Sequence, residues 1–405
     1  MDLDLSPAHE ALRAEVRAFA SSTLAPNIGE WDATGGYPRT LLADMGRAGY
    51  LGTPLPRAYG GSGLDYIALA IICEEMERVD SAFRVVQSVH VGLNSLTLLQ
   101  WGTEEQRQRW LVPQARGEKL ATFSLTEPGV GSDAGSITCR AERAPGGYLL
   151  NGQKRWISLG TVADHILVIA TLDPDQQHRG LVALVLERDM PGVTTGKIEG
   201  KHGVRAGDSA WMNLENVHVP THHRIGGEGE GFKVAMSAID QGRYTVAAGA
   251  VGLAEACLDA AVTYARQRHT FGQEIGRHQL VQQLIAGMVA GIESSRLLVR
   301  RAGHMKNHGR RTTRETSLAK WQAVDAAVKA AEDAMQIHGA NGYTNAYPVE
   351  RYVRNARGAA IYEGTREIHT LLQAEYALGY RQDRPLRRLP WPADGFGDPP
   401  GDTDG

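Results

Sequence analysis

The apolar repeat of this chain changes twice, and few architectures accommodate such a change. From Pro7 to about Gly117 apolar residues recur at helical spacing. Gly63-Leu64-Asp65 leads into an apolar-periodic run ending at Val79, and Thr103 with Gln106 has the form of a capping box. From about Leu120 to Pro220 the signal becomes short β-rich runs, Tyr148 to Leu150, His165 to Leu172 and Leu181 to Leu186, separated by Gly, Asn and Asp. From Gly231 onward the helical period returns in Ala-rich segments at roughly 234–268, 278–307, 314–339 and 349–361, the lengths of an antiparallel bundle. The order predicts an all-α bundle over 1–119, a β-sheet domain over 120–230 and an all-α four-helix bundle over 231–380. After Gly379 the composition turns to Arg, Pro, Gly and Asp, and 381–405 reads as a mobile tail.

Composition narrows the function. With 405 residues, 42% of them apolar, the chain can bury a large core. A formal net charge of -3 without long runs of one sign offers no surface for nucleic acid or an anionic membrane, so the expected ligand is a small molecule. Cys73, Cys139 and Cys257 are odd in number and widely scattered, which fits neither a disulfide framework nor a metal site. A reducing compartment is expected. The opening Met-Asp-Leu-Asp-Leu lacks the form of a signal peptide, and no later apolar run is read as approaching the roughly 20 residues that cross a bilayer. The expected location is cytoplasmic.

Three stretches carry chemistry. Phe123 to Asp133 reads as a strand ending in a turn rich in Gly and small hydroxyl residues, whose backbone N–H groups, with Thr126 and Ser132, suit the edge of a heteroaromatic ring or a pyrophosphate. An ordinary β-turn would read the same way. Trp156 and Ser158 place a large aromatic and a hydroxyl on one strand, fit to cover a flavin face and bond its edge, although a strand Trp is also a common core residue. Glu363 sits between apolar or aromatic neighbours and a Gly-Thr that starts another helix. Desolvation there would raise its pKa towards that of a working general base. Gly364 leaves room for a ligand and Thr365 can cap the helix. A Glu that merely favours a helix dipole remains the alternative.

Taken together, the stretches resemble the acyl-CoA dehydrogenase family. Thr126 to Asp133 is similar to that family's flavin-binding turn, Trp156-Ile157-Ser158 to its flavin-stacking strand and Tyr362 to Thr365 to its catalytic segment, in the family's order and spacing. The resemblance runs from about residue 7 to Gly379 and implies FAD as cofactor, with Phe123, Leu125, Gly131 and Glu367 among its contacts. Arg266 to Gly272, which includes Arg268, Thr270 and Phe271, is followed by His278-Gln279, and both resemble segments that bind FAD across a subunit interface. Gln336 to Gly342, with Ile337, Gly339 and Ala340, resembles another such segment. A homo-oligomer, expected as a tetramer, is implied. So are Glu363 as acceptor of the α-proton, flavin as acceptor of the β-hydride, and an electron-transferring flavoprotein as the partner that reoxidises it. The substrate implied is an acyl thioester, carried on CoA or on a carrier protein, with Ser132, Asp240, Arg243, Tyr362 and Gly364 around it. Relatives that oxygenate substrates or oxidise nitroalkanes generally lack Glu at the position of Glu363, which argues against them; a non-enzymatic flavoprotein is the other rival.

Substrate choice is read from Glu74 to Ser88. Glu77, Arg84 and Ser88, separated by seven and then four residues, fall near one face of a presumed single helix. The pattern resembles glutaryl-CoA dehydrogenases, in which an Arg meets the distal carboxylate and the oxidised product loses CO2. Glu367-Ile368-His369 also looks like that branch, whereas Ser158-Leu159-Gly160 departs from it. A related Arg occurs in members acting on short polar acyl groups tethered to carrier proteins. Asp80, one turn before Arg84, offers the plain alternative of an i,i+4 ion pair.

Overall fold

The computed structural model of the chain describes residues 4–383 and Arg388, so most of the tail expected over 381–405 lies outside the described residues. The N-terminal part contains α1 (Pro7–Phe19), α2 (Ile28–Thr34), α3 (Thr40–Arg47), α4 (Tyr66–Val79), α5 (Ser81–Val86), α6 (Leu96–Trp101), α7 (Glu104–Gln106) and α8 (Val112–Ala115). Local chemistry sets the starts. Asp65 accepts from the Ala68 N–H at 2.8 Å to cap α4, and Thr103 with Gln106 completes the expected capping box. Between α5 and α6, Gln87–Ser95 winds as a π-helix, a form common near functional sites.

The presumed single helix through Glu77, Arg84 and Ser88 is broken. Asp80 takes an extended conformation (φ -164°, ψ 145°), ends α4 and caps α5 through a 2.9 Å bond from the Ala82 N–H. Its carboxylate also receives Asn355 at 2.7 Å and pairs with Arg351 at 3.1 Å, so it is not the expected partner of Arg84.

The middle part is a sheet of β1 (Ala121–Ser124), β2 (Arg140–Ala144), β3 (Gly147–Ser158), β4 (His165–Thr171), β5 (Leu181–Glu187), β6 (Val193–Lys197), β7 (Ser209–Pro220) and β8 (Arg224–Ile225). Its order is β6-β7-β3-β2-β4-β5-β8, with β1 parallel to β4. All of β4 and nearly all of β5 is buried, which is why both read as unbroken apolar runs rather than as alternating strands.

The chain then enters α9 (Gly231–Gln267), whose 37 residues span about 55 Å at 1.5 Å per residue. A two-residue hairpin of β9 (His269–Thr270) and β10 (Gln273–Glu274) leads to α10 (Gln279–Asn307), α11 (Thr313–His338), α12 (Val349–Ala359) and α13 (Arg366–Ala377). Here one sequence reading fails: α9 is long and apolar enough to cross a membrane. Most of that stretch is instead buried inside the protein, against α11, α4 and α10. Small residues make this packing possible, since a Cβ at Gly249 would collide with the Glu77 carboxylate and one at Gly252 with the Glu74 carbonyl. The three cysteines are free and buried.

Candidate active site

Glu363 lies in the link between α12 and α13, where Thr365 accepts from the Ile368 N–H to start the helix. Its backbone is left-handed (φ 56°) and Gly364 follows at φ 94°, so two successive residues occupy a region that side chains avoid. The turn is held from outside. Arg243 Nε donates to the Glu363 carbonyl at 3.3 Å, and Lys320 Nζ to the Gly364 carbonyl at 2.8 Å. The carboxylate stands over Gly242 of α9, where an added Cβ would come within 2.6 Å of Oε2. Burial raises the Glu363 pKa to about 7, against the downward pull of Arg243, Arg84 and Lys320. The side chain still keeps part of its surface open to solvent. A carboxylate with this pKa, open on one side, suits a general base near neutral pH.

Behind it lies a buried polar chain. Arg84 Nε pairs with Glu77 Oε2 at 2.6 Å across the break at Asp80, while Nη1 donates to Ser88 Oγ at 3.0 Å and Nη2 to Tyr362 Oη at 2.5 Å. Ser88 meets Thr245 at 2.7 Å, and Thr245 donates to the Gly242 carbonyl at 2.8 Å. Both charged members are 1% exposed, and the pair neutralises itself. Asp240 joins from α9, accepting from Thr313 at 2.6 Å and pairing with Arg243 at 3.4 Å.

The two stretches expected to meet a flavin come together on the sheet. The turn after β1 closes through the Glu127–Val130 bridge, and the Thr126 carbonyl accepts from the Arg155 N–H at 2.9 Å. The buried Lys154 ties this turn to β3, reaching the Leu125 carbonyl at 2.9 Å and Glu127 at 2.8 Å. Gly131 and Ser132 are exposed, and Phe123, Leu125 and Thr126 are half-buried. Trp156 sits at a bulge against β7 with φ 62° and is 56% exposed, so it is not the core residue that a strand Trp often is. Ile157 is core and Ser158 half-buried. From the end of β3, Leu159 bonds the Asp208 carbonyl; in the same loop Val204 is held by Asn355 at 2.6 Å, next to the Gly358–Tyr362 contact. The sheet and the Glu363 turn are thereby joined.

Three family models match in order: acyl-CoA dehydrogenase N-terminal domain over residues 6–118, middle domain over 122–217 and C-terminal domain over 229–378. The chain is 41% identical over 368 residues to an acyl-CoA dehydrogenase of Bacillus subtilis, covering 91% of this chain and 97% of that protein. It belongs to the acyl-CoA dehydrogenase family. It is also 38% identical to the mitochondrial short-chain specific acyl-CoA dehydrogenase of Rattus norvegicus, over 93% of this chain and 91% of that one. A glutaryl-coenzyme A dehydrogenase structure in complex with glutaryl-CoA superposes at a TM-score of 0.90 with 36% identity, covering 94% of this chain and 98% of that chain. The enzyme is an oxidoreductase and its cofactor is FAD.

The dehydrogenase's residues suit FAD: an outward Trp156, the hydroxyls of Thr126 and Ser158, and open space where a Cβ would stand at Gly129 and Gly131. The other expected contacts lie elsewhere. Arg268 follows Gly242 by 26 residues along α9, about 39 Å. Within one chain it, Thr270, Phe271, His278 and Gln279 are remote from Glu363. Phe271 is 95% exposed at the hairpin tip (φ 50°). At the end of α11, Gln336, Gly339 and Ala340 are exposed and Ile337 is buried; Glu367 is exposed on α13. Sequence reasoning missed Gly242, Thr245 and Lys320. The first two are small residues in an Ala-rich helix, and a lone Lys on such a helix reads as solvated.

Proposed function

We propose that this enzyme desaturates a short-chain acyl thioester between Cα and Cβ, with Glu363 taking the α-proton. The supporting observation is the Glu363 carboxylate, raised by burial to about 7 and seated over Gly242 on a turn held by Arg243 and Lys320. Bound FAD supplies the acceptor for the β-hydride. The main-chain N–H of Glu363 serves as a donor to the thioester carbonyl, so that one residue acts both as base and as polarising group. The neutralised, hydroxyl-capped cluster of Glu77, Arg84, Ser88 and Tyr362 favours a short acyl chain, and the similarity to short-chain enzymes supports that reading.

A second reading, a glutaryl substrate decarboxylated to a four-carbon enoyl product, is favoured by one feature: Arg84 donates to two hydroxyls that a distal carboxylate could replace. The test is anaerobic flavin bleaching with butyryl, isobutyryl, isovaleryl, glutaryl and carrier-bound thioesters. Mass spectrometry then looks for the four-carbon product and CO2. In the glutaryl reading, Arg84→Ala lowers discrimination for glutaryl over butyryl thioester by at least roughly tenfold, because only glutaryl leaves an unpaired buried anion. Equal losses on both leave the short-chain reading standing.

The exposed Arg268 and Phe271 and the end of α11 fit a homotetramer in which these groups complete a partner's FAD site. Electron-transferring flavoprotein as acceptor and a cytoplasmic location belong to the same proposal.

A further inference from the structure

We propose that Lys320 is a positioning residue for the catalytic base: from α11 its ammonium holds the Gly364 carbonyl and provides a counter-charge to the Glu363 carboxylate. The inference rests on Glu363 being the base. Lys320 is 1% exposed on the buried face of α11, whose other members nearby are the small Thr316, Ser317, Ala319 and Ala323. A buried ammonium needs a partner, and its Nζ bond, 2.8 Å, runs to the catalytic turn. Such a turn needs anchoring, because Glu363 and Gly364 are both left-handed.

Charged and titratable groups reach Glu363 from several elements. Arg243 comes from α9, Arg84 from α5 and Lys320 from α11, and all three favour its ionised form. His369 of α13, whose Nδ1 meets Ser317 Oγ at 2.9 Å, is held neutral because burial, then Lys320 and Arg243, push its pKa down to about 3. The neighbouring Tyr362 hydroxyl is raised by burial and stays protonated. Lys320 itself is lowered by burial to about 7, opposed by Glu363 and Asp325 and reinforced by Arg243 and Arg84. Arg243 and Arg84 have their own carboxylates, Asp240 and Glu77, whereas the carboxylate acting most strongly on Lys320 is Glu363. Lys320 pulls on Glu363 less than Arg243 and Arg84 do, but with a pKa lowered to about 7 it is charged on the acid limb, where removing that charge moves the base upward.

The test compares FAD-loaded Lys320→Gln, Lys320→Met and Lys320→Arg with wild type, using butyryl-CoA across pH. In parallel, an infrared titration of the Glu363 carboxyl band is blanked against Glu363→Gln. Loss of a nearby cation moves a carboxyl upward, so Lys320→Gln is expected to shift both the acid limb of kcat and the carboxyl titration up by about one pH unit, with the plateau kept within a few fold. Lys320→Met gives the same shift and, lacking a donor for Gly364, a plateau about tenfold lower. Lys320→Arg retains the wild-type limb. If Met at this position does not fold, the Gln variant carries the test alone. A limb and carboxyl titration unmoved in Lys320→Gln overturn the inference. Substantial turnover by Glu363→Gln overturns the assignment of the base instead, which keeps the two failures distinct.

Discussion

Gly242 and Glu363 are in van der Waals opposition: a Cβ at position 242 would lie 2.6 Å from Oε2 and 2.7 Å from Cδ of the carboxylate. The long helix is bare of side chain at the point where the Glu363 carboxylate sits. Gly242→Ala should leave the fold intact, because the colliding atoms end a side chain that can turn away, but should displace the carboxylate. A misplacement of about 1 Å can cost roughly 10²-fold in rate. Stopped-flow bleaching should show that loss with flavin content unchanged; a rate within threefold of wild type would mean the carboxylate works from another position.

The pairing of Arg84 with Glu77 bridges two helices and buries two charges. Removing one partner of such a pair typically destabilises by about 3–5 kcal/mol, whereas replacing both with apolar groups is often neutral. Arg84→Met should therefore lower the denaturation midpoint markedly, and the Arg84→Met/Glu77→Met double variant should recover much of it. Additive losses would show that the two residues do not act as a pair.

Glu363 provides the pH dependence. Its pKa is raised to about 7, so the base is increasingly protonated and idle below that value. The kcat/KM profile of the holoenzyme should fall about tenfold per pH unit on the acid side of an inflection near 7. A profile flat down to pH 5.5 would mean that the base is ionised throughout and less desolvated than its surroundings indicate.

Arg268→Ala should weaken FAD retention and the assembly together, since Arg268 is exposed and far from Glu363 along α9. Size-exclusion chromatography with flavin absorbance measures both. Full flavin in an unchanged oligomer would assign Arg268 to solvent.

The three-part order was legible because the apolar period itself switches between helix and strand. Glu363, Trp156 and Thr126 are each ambiguous alone, as a helix-dipole carboxylate, a core aromatic or an ordinary turn, and become candidates only through the order and spacing of their three stretches. What escaped is tertiary. The break at Asp80 follows from its role as a cap and from Asn355 and Arg351, which lie some 270 residues further along the chain. Glu77 meets Arg84 across that break, from α4 to α5, and not along one continuous helix as their spacing predicts. α9 has the length and apolarity of a membrane span, and its burial depends on Gly249 and Gly252, whose purpose appears only when α4 is packed against them. Lys320 is indistinguishable from a surface lysine until the turn of Glu363 and Gly364 folds over it.

The most direct measurement of the central claim is anaerobic flavin bleaching by FAD-loaded Glu363→Gln on mixing with butyryl-CoA and glutaryl-CoA. Glutamine is nearly isosteric, so cofactor and substrate should bind, but it cannot accept the α-proton. The predicted result is full flavin content with bleaching slowed by about 10²–10⁴-fold, as for loss of a general base. Bleaching at more than about a tenth of the wild-type rate, with flavin fully bound, would contradict the account.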